Sequence, residues 1–182
     1  MLNQAAVVAL RIALFRAGPQ DLPYAPALTR LTVPLAALAA FLQYRLTLPL
    51  MPAVVHALGW VAALALFTHV LLQSRGLVNR FRQTLDSLLL IDSAMTLVML
   101  PALAVLAPQM ARIAENPDSA RGETLPVLPA FAVLAVSLWN FLVSAHVYRH
   151  ALGASPGIGA LMALLSTVIT VSLAGAIGAL VG

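Results

Sequence analysis

Five long apolar runs, separated by short polar or proline-containing breaks, dominate the pattern of this chain. Each run is long enough for an α-helix to cross the roughly 30 Å hydrocarbon core of a bilayer, which takes about 20 residues. The breaks fall at proline, glycine or clusters of charge, where helices usually end. The pattern therefore predicts an all-α membrane protein, a five-helix transmembrane bundle with spans at about 27–46, 50–72, 84–106, 125–148 and 156–181.

The third of these runs contains Pro101. Proline removes a backbone donor from a helix, so this span is expected to kink or to end early there. A polar loop from Pro108 to Thr124 is expected to follow. The bundle of residues 27–182 is thus expected to carry short links and no soluble domain.

The segment before the first span, from Asn3 to Ala17, is apolar but is split by two arginines. A secretory signal peptide has an uninterrupted apolar stretch and a small-residue cleavage site, and neither is found here. A short amphipathic helix in the membrane interface, with Arg11 and Arg16 among the headgroups, accounts for the pattern better. Residues 1–26 are therefore predicted to form this helix and a link that contains Pro19, Pro23 and Pro26.

Composition excludes an ordinary soluble domain. The 182 residues are 62% apolar and only 9% charged, whereas soluble domains carry about 25% charged residues. The basic charge consists of ten arginines that are dispersed along the chain. Such charges set topology and contact anionic lipid, and the clustered basic face of a nucleic-acid-binding protein is missing. Without cysteine there is no disulfide, thiolate metal site or iron–sulfur cluster.

The placement of arginine predicts the orientation of the bundle. If the N-terminus is cytoplasmic, the five-span pattern puts seven arginines inside and three outside, in accord with the positive-inside rule. The inside set is Arg11, Arg16, Arg30, Arg75, Arg80, Arg82 and Arg149, and the outside set is Arg45, Arg112 and Arg121. We therefore expect a bacterial inner-membrane protein with a cytoplasmic N-terminus and a periplasmic C-terminus.

Two short stretches are similar to those of known proteins: Arg16-Ala-Gly-Pro-Gln-Asp-Leu-Pro-Tyr24 before the first span, and Arg80-Phe-Arg-Gln-Thr84 at the start of the third. They resemble uncharacterised five-span inner-membrane proteins of proteobacteria, some of them loosely similar to the Yip family. The resemblance implies a five-span bundle with a non-enzymatic role in shaping membranes or in trafficking.

Asp92 is the ionisable residue that the pattern buries most deeply. It lies about 12 Å from the cytoplasmic start of its span, and an acid at such depth costs about 2.5–3.5 kcal/mol. Asn140 on the fourth span and Ser166 and Thr167 on the fifth fall at a similar depth. These four residues are predicted to form one buried polar layer, either as hydrogen-bonded contacts between helices or as a proton or ion site centred on Asp92.

A shallower layer, nearer the cytoplasm, is predicted from His69, Asp86, His146 and His150. Asp86 follows Arg82 by one helical turn and is expected to pair with it. Three or four convergent ligands would be needed for a metal, whereas interfacial histidines commonly serve as membrane anchors, so no metal is expected.

Haem is the one cofactor that the spacing of the histidines suggests. His56 and His69 are 13 residues apart on the second span, a separation similar to that of the axial histidines in dihaem cytochromes b. The fourth span matches only one of the two levels, with His146 or His150 facing His69, so at most one b-type haem fits. No cofactor is expected, and a haem-bearing subunit stays an alternative.

Small residues recur every four positions along the fifth span: Ser166, Thr170, Ala174, Gly178 and Gly182. Small residues allow close approach of helices in lipid. This stripe is predicted to face protein, either within the same bundle or in another chain.

No sequence motif indicates catalysis, because the serines lack a nucleophile elbow and the Gly153–Gly159 stretch lacks the lysine of a phosphate loop. We therefore expect a non-catalytic accessory or structural subunit, in contact with lipid and with other membrane subunits or copies of itself. A small transporter or channel component that uses Asp92 is the alternative from another functional class.

The topology is testable because the chain is free of cysteine. Single cysteines at Ser74 and Ser119 are expected to react with an impermeant maleimide from opposite sides of the membrane, Ser74→Cys from the cytoplasm. Labelling of both from one side would contradict the predicted orientation.

Overall fold

A computed structural model describes residues 2–116 and 125–179 of the chain. Within these ranges it contains six α-helices and no strand. Five of the helices are long and apolar enough to cross a membrane, which confirms an all-α, multi-pass membrane bundle. The helices are α1 (Leu2–Ala13), α2 (Pro26–Tyr44), α3 (Leu50–Ser74), α4 (Phe81–Glu115), α5 (Val127–Leu152) and α6 (Pro156–Ala179).

Helices α2 to α6 run up and down in alternation. The links 75–80 and 153–155 lie at one end, where Arg80 Nη1 donates to the Ala151 carbonyl at 2.8 Å. We call this the arginine-rich end, and we call the end at which α2 turns into α3 the opposite end. Helices α3, α4, α5 and α6 surround a central space, and α2 packs outside against α3 and α4.

Local sequence explains the tight turn between α5 and α6. Gly153 ends α5 in the left-handed conformation, with φ +61°, which favours glycine. The amide of Ala154 closes the turn on the Arg149 carbonyl at 3.0 Å. Pro156 then begins α6, at a position where its missing N–H is harmless.

The helix α4 is longer than the predicted third span of 84–106. It contains both Pro101 and Pro108 and continues to Glu115. Of the two outcomes expected at Pro101, an early end is therefore wrong and a kink stays a prediction, and the loop expected from Pro108 does not start there. A helix is retained because, in lipid, a proline loses one backbone hydrogen bond whereas an unwound segment loses several. Its 35 residues extend about 52 Å, beyond the hydrocarbon core. Residues 117–124, in the predicted outer loop, lie outside the described residues.

The N-terminal helix is packed into the bundle. Ala5, Val8 and Ile12 are buried along one face in the core that α4 and α5 share with α1. The indole of Trp139 donates to the Ala13 carbonyl at 3.1 Å. Trp139 lies thirteen residues before the end of α5, about 20 Å along its axis. The sequence predicted the helix, but not its contact with the middle of α5.

The stripe of small residues on α6 faces α3 of the same chain. Ser166, Thr170, Ala174 and Gly178 are all buried, and Gly182 lies outside the described residues. A Cβ on Gly178 would overlap the His56 ring, and a Cβ on Gly59 would lie 3.7 Å from the Ala174 Cα. Of the two alternatives that the sequence left open, the described part of the stripe therefore fits packing within the bundle.

Gly178→Leu is expected to disrupt this packing, at a cost of about 1–3 kcal/mol for an overfilled contact. Gly175→Leu is the matched control, because a side chain at Gly175 meets nothing within 4 Å. Thermal aggregation of the purified variants in detergent measures the difference. Equal aggregation temperatures for the two variants would contradict the packing.

Candidate functional site: a polar cavity around Asp92

A cavity of about 240 Å³ lies between α3, α4, α5 and α6. Its apolar wall includes Trp60, Leu64, Leu88, Met99 and Phe141. Its polar wall is formed by Asp92, Ser137, Asn140, Ser144, Tyr148, Ser166, Thr167 and Thr170. All four residues of the predicted deep layer therefore border one cavity.

Asp92 and Asn140 hydrogen-bond across this cavity. The Asn140 amide Nδ2 donates to Asp92 Oδ1 at 2.7 Å. Asp92 is eleven residues into α4, and Asn140 is twelve residues before the end of α5. Because the two helices are antiparallel, both residues lie about 17 Å from the arginine-rich end. The sequence placed both residues at the same depth in the membrane, and in the structure they are in contact.

The other oxygen of this amide is left without a partner. Asn140 Oδ1 is buried and accepts no hydrogen bond from the described residues. The amide cannot simply be turned over, because the carboxylate of Asp92 accepts and requires the Nδ2 group to face it. A buried unsatisfied acceptor costs about 1–3 kcal/mol. Asn140 therefore carries a buried acceptor beside the cavity, which a donor group of a ligand would satisfy after a rotation of the amide toward the cavity.

Ser166 and Thr167 border the cavity without bonding to Asp92. The Tyr148 hydroxyl donates to Ser166 Oγ at 3.0 Å. The Thr68 hydroxyl lies 3.2 Å from the same Tyr148 hydroxyl. Thr167 bonds to the Ala163 carbonyl of its own helix. Of the predicted layer, only Asp92 and Asn140 hydrogen-bond to each other.

Sequence reasoning missed Tyr148 and Thr68, which connect α3, α5 and α6. Tyr148 follows the buried positions Val143 and Val147, and this spacing was the available signal for an inward-facing ring.

The charge of the cavity wall has one sign. Asp92 is the only carboxyl group among the described lining residues, and no arginine or histidine joins it there. With two carboxylate oxygens, a free amide oxygen and several hydroxyls, the wall is suited to a positively charged group that donates hydrogen bonds.

Asp86 belongs to a different contact. It is buried and accepts from Thr29 Oγ1 at 2.9 Å and from Thr32 Oγ1 at 2.6 Å. Direct hydrogen bonds from α2 therefore hold this carboxyl, and Arg82, the expected partner, adds a charge interaction with it. Arg82 also lies 5.9 Å from the centre of the Tyr24 ring.

The three histidines of the shallow layer do not converge. The rings of His146 and His150 are 4.4 Å apart, and His146 Nε2 donates to the Ala17 carbonyl at 2.9 Å. His69 packs against Phe81 instead. Within residues 2–116 and 125–179, no three His, Asp or Glu side chains are placed to hold a metal.

The remaining histidine lies near the opposite end of α3. His56 Nδ1 donates to the Pro52 carbonyl at 2.8 Å, and its ring packs beside Tyr44. Its ring also abuts Gly178, so these groups surround one of the two α3 histidines, His56 and His69, whose spacing suggested a haem.

Comparison with known proteins gives no match among family models, curated proteins or solved structures.

The two acids of α4 are expected to respond differently to replacement by leucine. Asp92→Leu loses one intramembrane hydrogen bond, worth about 0.6 kcal/mol, beside a cavity that can take the new side chain. Asp86→Leu removes the acceptor of the Thr29 hydroxyl and leaves the buried Thr32 hydroxyl only a 3.4 Å bond to the Thr29 carbonyl, at about 1–3 kcal/mol. Unfolding of the purified variants in mixed micelles measures both changes. A larger loss for Asp92→Leu than for Asp86→Leu would contradict this assignment.

Proposed function

We propose that this protein is a non-enzymatic component of a small membrane transporter or channel, with Asp92 as its ion or proton site. The observation that carries the proposal is the Asp92–Asn140 pair. The pair borders the cavity and lies about 17 Å from the arginine-rich end of the bundle. A carboxyl group at that depth is costly, and its single hydrogen-bond partner leaves most of its acceptor capacity unused. A cation or proton compensates the charge.

The sequence alone favoured an accessory subunit, because it gave no dense polar pathway. Eight polar side chains around one cavity supply the feature that was lacking. A transporter or channel component therefore fits the geometry of the cavity better than an accessory subunit does.

An accessory or structural subunit, held with other membrane subunits or with copies of itself, is the second candidate. It is supported by the first part of α5, residues 127–142, in which no residue is buried. The same helix is packed from Val143 onward. The uncovered half is available to lipid or to a partner helix.

We further propose an inner-membrane location with the arginine-rich end in the cytoplasm. Five arginines lie in the links or terminal turns of that end: Arg30, Arg75, Arg80, Arg82 and Arg149. The positive-inside rule supports this orientation. The likeness to five-span proteobacterial membrane proteins related to the Yip family stays a prediction.

Flux measurements in liposomes test the primary proposal. The purified protein is expected to pass protons or a monovalent cation, and Asp92→Asn is expected to reduce the flux at least roughly tenfold, because a neutral amide does not compensate a cation at mid-membrane. Asp86→Asn is the matched control, since Asp86 lies on the same helix but outside the cavity.

Flux that does not exceed that of empty liposomes, or that is equal in Asp92→Asn and wild type, would contradict the proposal. Affinity purification from native membranes in mild detergent then tests the second candidate. A stoichiometric membrane partner is the result expected of an accessory subunit.

A further inference from the structure

We infer that the ligand of the Asp92 cavity is an amphipathic organic ammonium ion that enters from the bilayer between α5 and α6. The inference rests on the proposed function, and it adds the class of ligand and its route.

The route follows from the shape of the cavity. Its floor is closed, because Tyr148, Ala163 and Thr170 are at most 3% exposed. Its lining also includes exposed residues, Ser137 on α5 and Thr167 and Val171 on α6. These three residues mark the mouth of the cavity.

The mouth faces acyl chains rather than water. Ser137 is ten residues from the start of α5 and fifteen from its end, and Thr167 is eleven residues into α6. At 1.5 Å per residue, each lies about 15 Å or more from the helix ends, near the middle of a hydrocarbon core about 30 Å thick. A ligand that passes this mouth comes from the membrane.

The volume favours an organic ion over a bare metal ion. A cavity of about 240 Å³ has room for several water molecules. Ca²⁺ takes six to eight oxygen ligands at about 2.3–2.6 Å, and Mg²⁺ requires near-ideal octahedral geometry at about 2.0–2.1 Å. A molecule with its own apolar bulk fills the space instead.

The wall matches both parts of such a molecule. Asp92 supplies the negative charge, and the unpartnered Asn140 Oδ1 accepts an N–H. Trp60 and Phe141 supply aromatic surface, which attracts cations and covers apolar groups. A protonated amine satisfies all of these groups, whereas a quaternary ammonium has no N–H for Asn140.

Tryptophan fluorescence provides the test. In a Trp139→Phe background, Trp60 is the only tryptophan of the chain and lines the cavity. The protein is placed in phosphatidylcholine nanodiscs and titrated with three quenchers: 4-nitrophenethylammonium, its N,N,N-trimethyl analogue and neutral 4-nitrophenylethanol. Saturable quenching by the primary ammonium, with affinity about tenfold higher than for either analogue, is the expected result.

Variants of the wall and the mouth sharpen the test. Asp92→Asn is expected to weaken ammonium binding about tenfold or more, while Asp86→Asn retains it. Thr167→Phe narrows the mouth and is expected to slow association, whereas Val168→Phe, on the exposed side of α6, does not.

The outcomes separate this inference from the proposed function. Equal binding of the alcohol and the ammonium, or equal association rates for Thr167→Phe and Val168→Phe, would overturn it. Cation or proton flux that depends on Asp92 without ammonium binding would overturn the inference and leave the proposed function intact. Absence of both would overturn both.

Discussion

The absence of water in the hydrocarbon core is the constraint on which this structure depends. Every polar group that enters the bilayer has to find its partner within the protein. Several hydroxyls of the bundle do so on their own helix: Thr84, Ser87, Thr167 and Thr170 each donate to the carbonyl four residues earlier. Other polar side chains connect neighbouring helices: the carboxyl group of Asp86 connects α4 to α2, and the hydroxyl of Tyr148 connects α5 to α3 and α6. Against this background the buried, unpartnered oxygen of Asn140 is an exception, and it belongs to a side chain that lines the polar cavity around Asp92.

The cavity exists because α5 packs along only half of its length. Near the arginine-rich end, Val143, Val147 and Ala151 are buried, and a Cβ on Gly159 of α6 would overlap the backbone of α5 at Ala145. Before residue 143 the helix loses this close packing. Helix α6 meanwhile stays against α3 through its small residues. The space between α5 and α6 widens where Asp92 and Asn140 lie.

Much of the fold was predictable from the sequence, because apolar length decides where a chain crosses a membrane. Equal depth on antiparallel helices also sufficed to place Asp92 beside Asn140. Depth does not specify rotation about the helix axis, however. Ser166 lies near that level but turns toward Tyr148, and Asp86 turns toward α2. Pro101 left a kink and an early end open as alternatives. The early end is excluded because the rule that proline ends helices holds in water, where the freed carbonyl finds a partner, and is weaker in lipid.

The contacts of α1 have a consequence for how the chain is assembled. Helix α1 is synthesised first, but its hydrogen-bond partners Trp139 and His146 follow Ala13 and Ala17 by 126 and 129 residues. Until α5 has been inserted, these two carbonyls have no indole or imidazole to accept from. The two hydrogen bonds that join the N-terminal segment to α5 therefore form only after α5 has been synthesised. Because Trp139 lies in the loosely packed half of α5 and His146 in the tightly packed half, these two hydrogen bonds connect the N-terminal segment to both halves of α5.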